Sequence, residues 1–219
     1  MNAILDADRK EANRLLEERS ARVGRGQAAM DLLEPALNEI GRVWETTGDI
    51  SLAQAYVAAK VAEDYLMKAA DEPVSGNDPE TFRGTVVIGN IEDDFHSLGR
   101  KMVKVFLEKD GWQVIDLGND VDSQAFVDHA IEHQAAFIAV SAMMFSTAMN
   151  IKNVRKEMDN RNITGKIKLV VGGAVFRLRP ELVKEVEADG TAPNAILAPA
   201  LFAGLSNSPG KKEGRNDRT

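Results

Sequence analysis

An aspartate and a histidine stand two residues apart, Asp94 and His96, inside the stretch Gly89-Asn90-Ile91-Glu92-Asp93-Asp94-Phe95-His96-Ser97-Leu98-Gly99. An imidazole can offer a ring nitrogen to a metal, and a carboxylate within reach of its other nitrogen fixes the tautomer and makes it a better ligand. Before this stretch runs the apolar Thr85-Val86-Val87-Ile88, and after it an amphipathic segment from Lys101 to Leu107. That order predicts strand, loop and helix, and loops at the carboxyl ends of parallel strands are where open α/β sheets bind ligands. Ser141 closes another apolar run and Gly172-Gly173 close a third. All three places fall at strand ends, so they converge in space although they are far apart in the chain. A second constellation, His129 and His133 with Asp128 and Glu132 beside them, has two imidazoles four apart on a predicted helix. No third protein ligand is identifiable from the sequence, so that group reads as a solvated helix face.

The elements that must hold these residues alternate. Strands are predicted near 85–89, 113–117, 136–141, 167–171 and 194–197, and helices near 98–109, 123–133, 148–160, 180–188 and 199–205. Five such units imply a parallel sheet covered on both faces, with right-handed crossovers. Residues 1–70 instead read as helix throughout. Ile4, Leu5, Ala12, Leu15, Leu16 and Val23 share a face of a first helix ended by Gly24 and Gly26. Met30, Leu33, Leu37, Ile40 and Trp44 recur at threes and fours, with Pro35 predicting a kink or two short helices. After a turn at Thr46-Thr47-Gly48-Asp49 comes a last helix, from 51 to 70, with Leu52, Tyr56, Ala59 and Leu66 along one side. Four short helices predict a small bundle. The segment 71–83, with two prolines and a glycine, reads as a linker, and 206–219 as a polar, mobile tail.

Bulk properties narrow the class. The 219 residues are 44% apolar, enough for one large or two small cores. A net charge of −7 argues against nucleic acid as the main partner. The absence of cysteine excludes disulfides and thiolate metal sites and fits a reducing compartment. No signal peptide opens the chain and no apolar run approaches a membrane span, so a cytoplasmic protein without membrane contact is expected.

Asp94-Phe95-His96-Ser97-Leu98-Gly99 resembles the D-x-H-x-x-G signature of cobalamin-binding domains. In these the corrinoid binds base-off, with a protein histidine on cobalt. Ser141-Ala142-Met143 resembles the family's S-x-L element and Gly172-Gly173 its G-G. The 41 residues between Gly99 and Ser141, and the 28 between Met143 and Gly172, are similar to the family's spacings. The resemblance covers residues 85–205 closely and the helical part more loosely. It implies an α/β fold: an N-terminal four-helix bundle cap, then a flavodoxin-like, doubly wound, parallel five-stranded sheet over 84–205.

The resemblance also implies residue roles. His96 would be the cobalt ligand, with Asp94, Ser97 and Gly99 around it. Ser141 would hydrogen-bond the Asp94–His96 pair or the buried nucleotide tail, with Met143, Ser146 and Thr147 nearby. Gly172 and Gly173 would leave a slot open for that tail. Gly41-Arg42-Val43-Trp44-Glu45, Gly48-Asp49 and Leu52-Ala53-Gln54 resemble the cap stretch that lays an aromatic over the corrin. Trp44 is the candidate there, ahead of Tyr56 and Leu52, and the competing reading makes Trp44 ordinary bundle core. Two positions depart from the family pattern. Asp93 stands where glycine is common, a charge expected to raise the pKa of a neighbouring carboxyl, and Phe145 stands where a hydroxyl residue is common.

The function implied is that of a corrinoid methyl carrier, similar to the corrinoid proteins of methanol, methylamine and methoxy-aromatic demethylating systems. Such a protein takes a methyl group from its substrate onto cobalt(I). It then delivers that group from methyl-cobalt(III) to an acceptor such as tetrahydrofolate. Its partners would be a substrate-specific methyltransferase, a corrinoid-to-acceptor methyltransferase and a reductive activator. The chain alone would not be a complete enzyme, since no acid–base or nucleophile constellation accompanies the cobalt ligand. Two alternatives are a cobalamin-based sensor, whose DNA-binding segment finds no room in this chain, and an adenosylcobalamin mutase subunit. A bland flavodoxin-like interaction domain is the reading left if the motif is accidental.

Overall fold

The computed structural model describes residues 2–71 and 82–207. The chain divides into two compact units, Met1–Val74 and Ser75–Thr219. Most of the expected linker (71–83) and tail (206–219) lies outside the described residues.

In the first unit the expected opening helix is two, α1 (Asn2–Leu5) and α2 (Arg9–Val23). Ala7 turns left-handed between them, and Asp8 caps α2 by accepting the Glu11 N–H at 2.9 Å. Helix α3 (Arg25–Ala28) runs through a π turn (Ala29–Leu33) into α4 (Glu34–Thr46). This is the form the Pro35 break takes. Proline has no N–H for the carbonyl one turn back, and the wider turn before it absorbs the gap. Helix α5 (Leu52–Asp71) opens on a reciprocal cap. The Ser51 N–H donates to Gln54 Oε1 and the Gln54 N–H to Ser51 Oγ.

The buried face of α5 differs from expectation. Ala58, Val61, Ala62 and Tyr65 point inward, whereas Leu52, Tyr56 and Ala59 are exposed, and Leu66 lies outside the described side chains. Polar anchors select this face. Tyr65 Oη donates to the Arg25 carbonyl at 2.8 Å, and Asp64 is gripped by Arg9 and Asn13 of α2. Trp44, 49% exposed, is not part of the bundle core. Leu33, Ala36 and Ile40 fill that side instead.

The second unit is a five-stranded, all-parallel sheet of β1 (Gly84–Asn90), β2 (Trp112–Asp116), β3 (Phe137–Ser141), β4 (Lys168–Gly172) and β5 (Gly190–Thr191). Its order is β2-β1-β3-β4-β5, the doubly wound arrangement of flavodoxin-like domains. Period-two alternation sends Val87, Ile138, Val140, Leu169 and Val171 to one face, under α7 (Ser123–Glu132) and α8 (Phe145–Asn160). Val86, Ile88, Phe137, Ala139 and Val170 face the other way, under α6 (Ser97–Lys109) and α11 (Ala198–Ser206). The edge-on contact of Trp112 with Phe137, centroids 5.4 Å apart, sits in this second layer.

Two elements differ from expectation. The fifth strand is Gly190–Thr191, paired with Val170 and Val171, and not 194–197. There Asn194 Oδ1 accepts the Leu197 N–H at 3.0 Å and turns the chain into α11, so the apolar Ala195-Ile196-Leu197 belongs to a helix approach. The expected helix at 180–188 is shorter, α10 (Leu182–Glu185), and a separate short helix, α9 (Ala174–Leu178), ends before Pro180. Among the described residues no helix is long and apolar enough to cross a membrane.

Candidate functional site

The order of the sheet locates the site. Connections leave β1 and β3 in opposite directions, and the crevice between their carboxyl ends is the switch point where doubly wound domains bind ligands. Asn90, Ser141 and Gly172 lie in register across β1, β3 and β4, forming the last row of the central sheet. The loop Ile91–His96 rises from this row and is pinned on both sides. Ile91 bridges to Val121, the Asp94 N–H donates to the Ile91 carbonyl at 2.9 Å, and the Asp120 N–H donates to the Asp94 carbonyl at 3.2 Å.

Asp94 is the centre of the site, with only 1% of its surface exposed. Its Oδ1 accepts from Asn90 Nδ2 (2.8 Å), from the His96 backbone N–H (2.9 Å) and from His96 Nδ1 (3.3 Å). Its Oδ2 accepts from the Met143 backbone N–H (2.6 Å) and from Thr147 Oγ1 (3.2 Å). Both backbone donors stand just before helices α6 and α8, whose amino ends favour a negative charge. Burial pushes the Asp94 carboxyl up, but these hydrogen bonds and the His96 charge outweigh it and leave its pKa below the ordinary aspartate value. The upward push expected from Asp93 is therefore not what governs Asp94.

His96 has the opposite exposure, with 54% of its side chain open to solvent. With Nδ1 turned to the buried carboxylate, Nε2 is the ring nitrogen left to face outward. Gly99 lies in the first turn of α6, and a Cβ there would meet nothing within 4 Å. Phe95, Met143, Met144 and Phe145 are exposed apolar side chains on the same loops and the start of α8, and Leu178, at the end of α9, is another. One free imidazole nitrogen, open space and an apolar surround suit a flat, metal-bearing macrocycle.

The remaining candidates differ in what their side chains touch. The hydroxyl that reaches Asp94 is that of Thr147, in the first turn of α8; among the described residues Ser141 makes no hydrogen bond to the Asp94–His96 pair. Ser141 is held in the sheet, where its carbonyl accepts the Ile91 N–H. Met143 contributes through its backbone, and Ser146 is exposed beside Thr147. Ser97 begins α6, its N–H bonded to the Phe95 carbonyl. The two glycines differ. Gly172 has open space where a Cβ would stand, whereas a Cβ on Gly173 would fall 1.9 Å from the Ala142 carbonyl oxygen, at φ 117. Asp93 has φ 66, the left-handed region in which Asp is better tolerated than most side chains, and its N–H is held by Asp120 Oδ1 at 2.9 Å. That geometry explains how a carboxylate fills a position where glycine is common. Phe145 carries the Arg179 guanidinium 4.9 Å above its ring.

Sequence reasoning missed the layer beneath Asp94. Asn90 is fully buried, and its amide also donates to the His96 carbonyl at 3.2 Å. Arg100, 5% exposed, donates from Nη1 to Asn90 Oδ1 (2.8 Å) and Asn119 Oδ1 (2.6 Å). Its Nε lies 2.9 Å from Asp116 Oδ1, an ion pair without hydrogen-bond alignment. The available signal was an Asn ending one strand and an Arg ten residues on, at a helix position facing back to the sheet.

Fold and site together define a doubly wound α/β ligand-binding domain with a carboxylate-supported imidazole at its switch point. Residues 84–200 match the family of the B12 binding domain, and residues 1–68 match a second family of the same description. Trimethylamine corrinoid protein 1 of Methanosarcina acetivorans is 32% identical over 177 residues, 79% of this chain and 80% of that protein. The dimethylamine corrinoid protein of Methanosarcina barkeri is 30% identical over 168 residues, 77% of each chain. Among solved structures, the M. barkeri monomethylamine corrinoid protein superimposes with a TM-score of 0.80 at 22% identity, covering 93% of this chain and 95% of that one. The methanol:cobalamin methyltransferase complex of M. barkeri shares the fold at a TM-score of 0.54 and 22% identity, over 95% of this chain and 78% of that one. The chain belongs to the B12-binding family of corrinoid proteins, and its cofactor is cobalamin or a related corrinoid.

Proposed function

We propose that the protein is a methyl carrier that holds its corrinoid base-off, with His96 Nε2 as the protein's ligand to cobalt. The observation that carries this reading is the solvent-facing His96 locked by a buried carboxylate bearing five hydrogen-bond contacts. The corrinoid, when bound, supplies a cobalt centre that takes up and gives away a methyl group. Around it each residue has a separate task. Asp94 fixes the His96 tautomer and balances positive charge on the imidazole. Thr147 and the Met143 N–H hold Asp94 in place, and Gly99 lets the macrocycle approach α6. Gly172 leaves room for the displaced nucleotide tail. Trp44, with Tyr56 and Leu52, shields the bound group from solvent, a role supported by the exposure of these large apolar side chains on α4 and α5.

The partners follow from the relatives. Their names describe corrinoid proteins of methylamines and a methanol:cobalamin methyltransferase complex. The proposed partners here are therefore a substrate-specific methyltransferase, a corrinoid-to-acceptor methyltransferase and a reductive activator. In the test, the purified chain is loaded with hydroxocobalamin, reduced, and mixed with one candidate substrate methyltransferase at a time and a panel of methylated amines, methanol and methoxy-aromatics. Methylation of the bound corrinoid by one donor class, dependent on that methyltransferase, is the expected result. A loaded chain that stays unmethylated with every donor yet changes oligomeric state under light would instead mark a sensor.

A further inference from the structure

Away from the corrinoid edge, α7 ends in His129-Ala130-Ile131-Glu132-His133. We propose that His129, Glu132 and His133 form a separate site for one divalent ion of the Zn2+ class. The helix runs back from the carboxyl edge of the sheet and ends just before Ala136, whose N–H bonds the Thr85 carbonyl near the start of β1. This cluster and His96 therefore lie at opposite edges of the sheet.

Geometry carries the argument. One ligand atom from each residue lies within 4.8 Å of the other two. Glu132 Oε2 stands 3.4 Å from His129 Nδ1 and 4.0 Å from His133 Nε2. Ligands around a tetrahedral ion with bonds of about 2.0–2.1 Å are roughly 3.4 Å apart, so small side-chain rotations close the set. The imidazole planes are 11° apart with centroids 5.9 Å apart, so at least one ring must turn about its Cβ–Cγ bond before both nitrogen lone pairs meet at one ion. The spacing H-x-x-E-H puts both rings and the carboxylate on one helix face, as metal-binding helices do.

Two further observations point to a cation. His129 Nδ1 is buried and has no hydrogen-bond partner among the described residues, although a carboxylate oxygen lies close by. Such an atom carries a desolvation cost that a coordinate bond would remove. The cluster also occupies the carboxyl end of α7, where the helix dipole favours positive charge. Asp128 is engaged by Arg161 at 2.8 Å and stays out of the set. Two imidazoles and a carboxylate suit zinc, nickel or copper(II) over the all-oxygen shells of calcium and magnesium. The remaining coordination position faces solvent.

The composition makes the test clean, because the chain has three histidines and no cysteine. Zinc chloride is titrated calorimetrically into the full-length, corrinoid-free chain in a non-coordinating buffer. One ion per chain is expected for the wild type and equally for His96→Ala. His129→Ala and His133→Ala should each weaken uptake at least about tenfold, since losing a ligand costs no less than losing an outer hydrogen-bond partner. Glu132→Gln should weaken it as well. These side chains are partly exposed, so circular dichroism of the variants should match the wild type. Absence of saturable uptake, uptake that survives His133→Ala, or uptake lost in His96→Ala would each overturn the site. None of these outcomes bears on whether His96 binds a corrinoid.

Discussion

At Asp94 a short side chain ending in two oxygens decides where an imidazole points. Its carboxylate is buried, yet its pKa is lowered, because burial is outweighed by donors from Met143, His96 and Asn90. The sign of the consequence follows. A carboxyl more acidic folded than unfolded adds stability that is complete above its unfolded pKa, near 3.9, and lost as pH falls through the folded value. Acid titration of the corrinoid-free chain, followed by circular dichroism, should show a component of this kind that Asp94→Asn removes. Below Asp94, Arg100 is a buried cation that donates to Asn90 and Asn119 and has Asp116 as its counter-charge. Arg100→Leu should cost about 3–5 kcal/mol in urea unfolding, because Asp116 loses its counter-charge and Asn90 its anchor. A cost within that of an ordinary surface change would contradict the network. Thr147→Val should cost about 0.5–1.5 kcal/mol, with Thr147→Ser close to wild type.

Among the elements, the junctions between strands and helices carry the function. The D-x-H-x-x-G hexapeptide was legible because its chemistry is local: a carboxylate, an imidazole two residues on, and a glycine opening a helix. Thr147 was harder to assign. Its contact with Asp94 depends on how α8 leaves β3, which no local pattern states, and Ser141 at the strand end was the more obvious hydroxyl. The fifth strand was misplaced for a similar reason. Gly190–Thr191 pairs at the sheet edge with no apolar run of its own, while Ala195-Ile196-Leu197 looks like a strand and caps a helix. The paired glycines looked equivalent in sequence, and the backbone separates them. Gly173→Ala should destabilise the fold by about 4 kcal/mol or more, since its Cβ has nowhere to go against Ala142. Gly172→Ala should fold as the wild type, within about 0.5 kcal/mol, yet bind corrinoid more weakly if a nucleotide tail passes there. Thermal unfolding and cobalamin titration of the two variants separate these effects.

For the whole molecule, the division of labour between a helical unit and an α/β unit was readable from the switch of hydrophobic period near residue 84. Which side of each helix turns inward was not. Leu52 and Tyr56 look like core by spacing, but Tyr65 and Asp64, held by Arg25, Arg9 and Asn13, rotate α5 so that they face out. Trp44 is exposed in the same way, so Trp44→Ala should change unfolding free energy by no more than about 0.5 kcal/mol. It should shorten the lifetime of the loaded, methylated protein under light, measured by absorbance. A large loss of stability with no change in lifetime would return Trp44 to a structural role.

The account turns on which nitrogen binds cobalt. The most direct measurement is electron paramagnetic resonance of the chain loaded with cobalamin, reduced to cobalt(II), and produced with 15N-histidine. Coordination by His96 predicts that the superhyperfine triplet of an axial 14N becomes a doublet on labelling and is lost in His96→Ala. A triplet unchanged by labelling would mean that the corrinoid keeps its own base, and the proposed ligand role of His96 would fail.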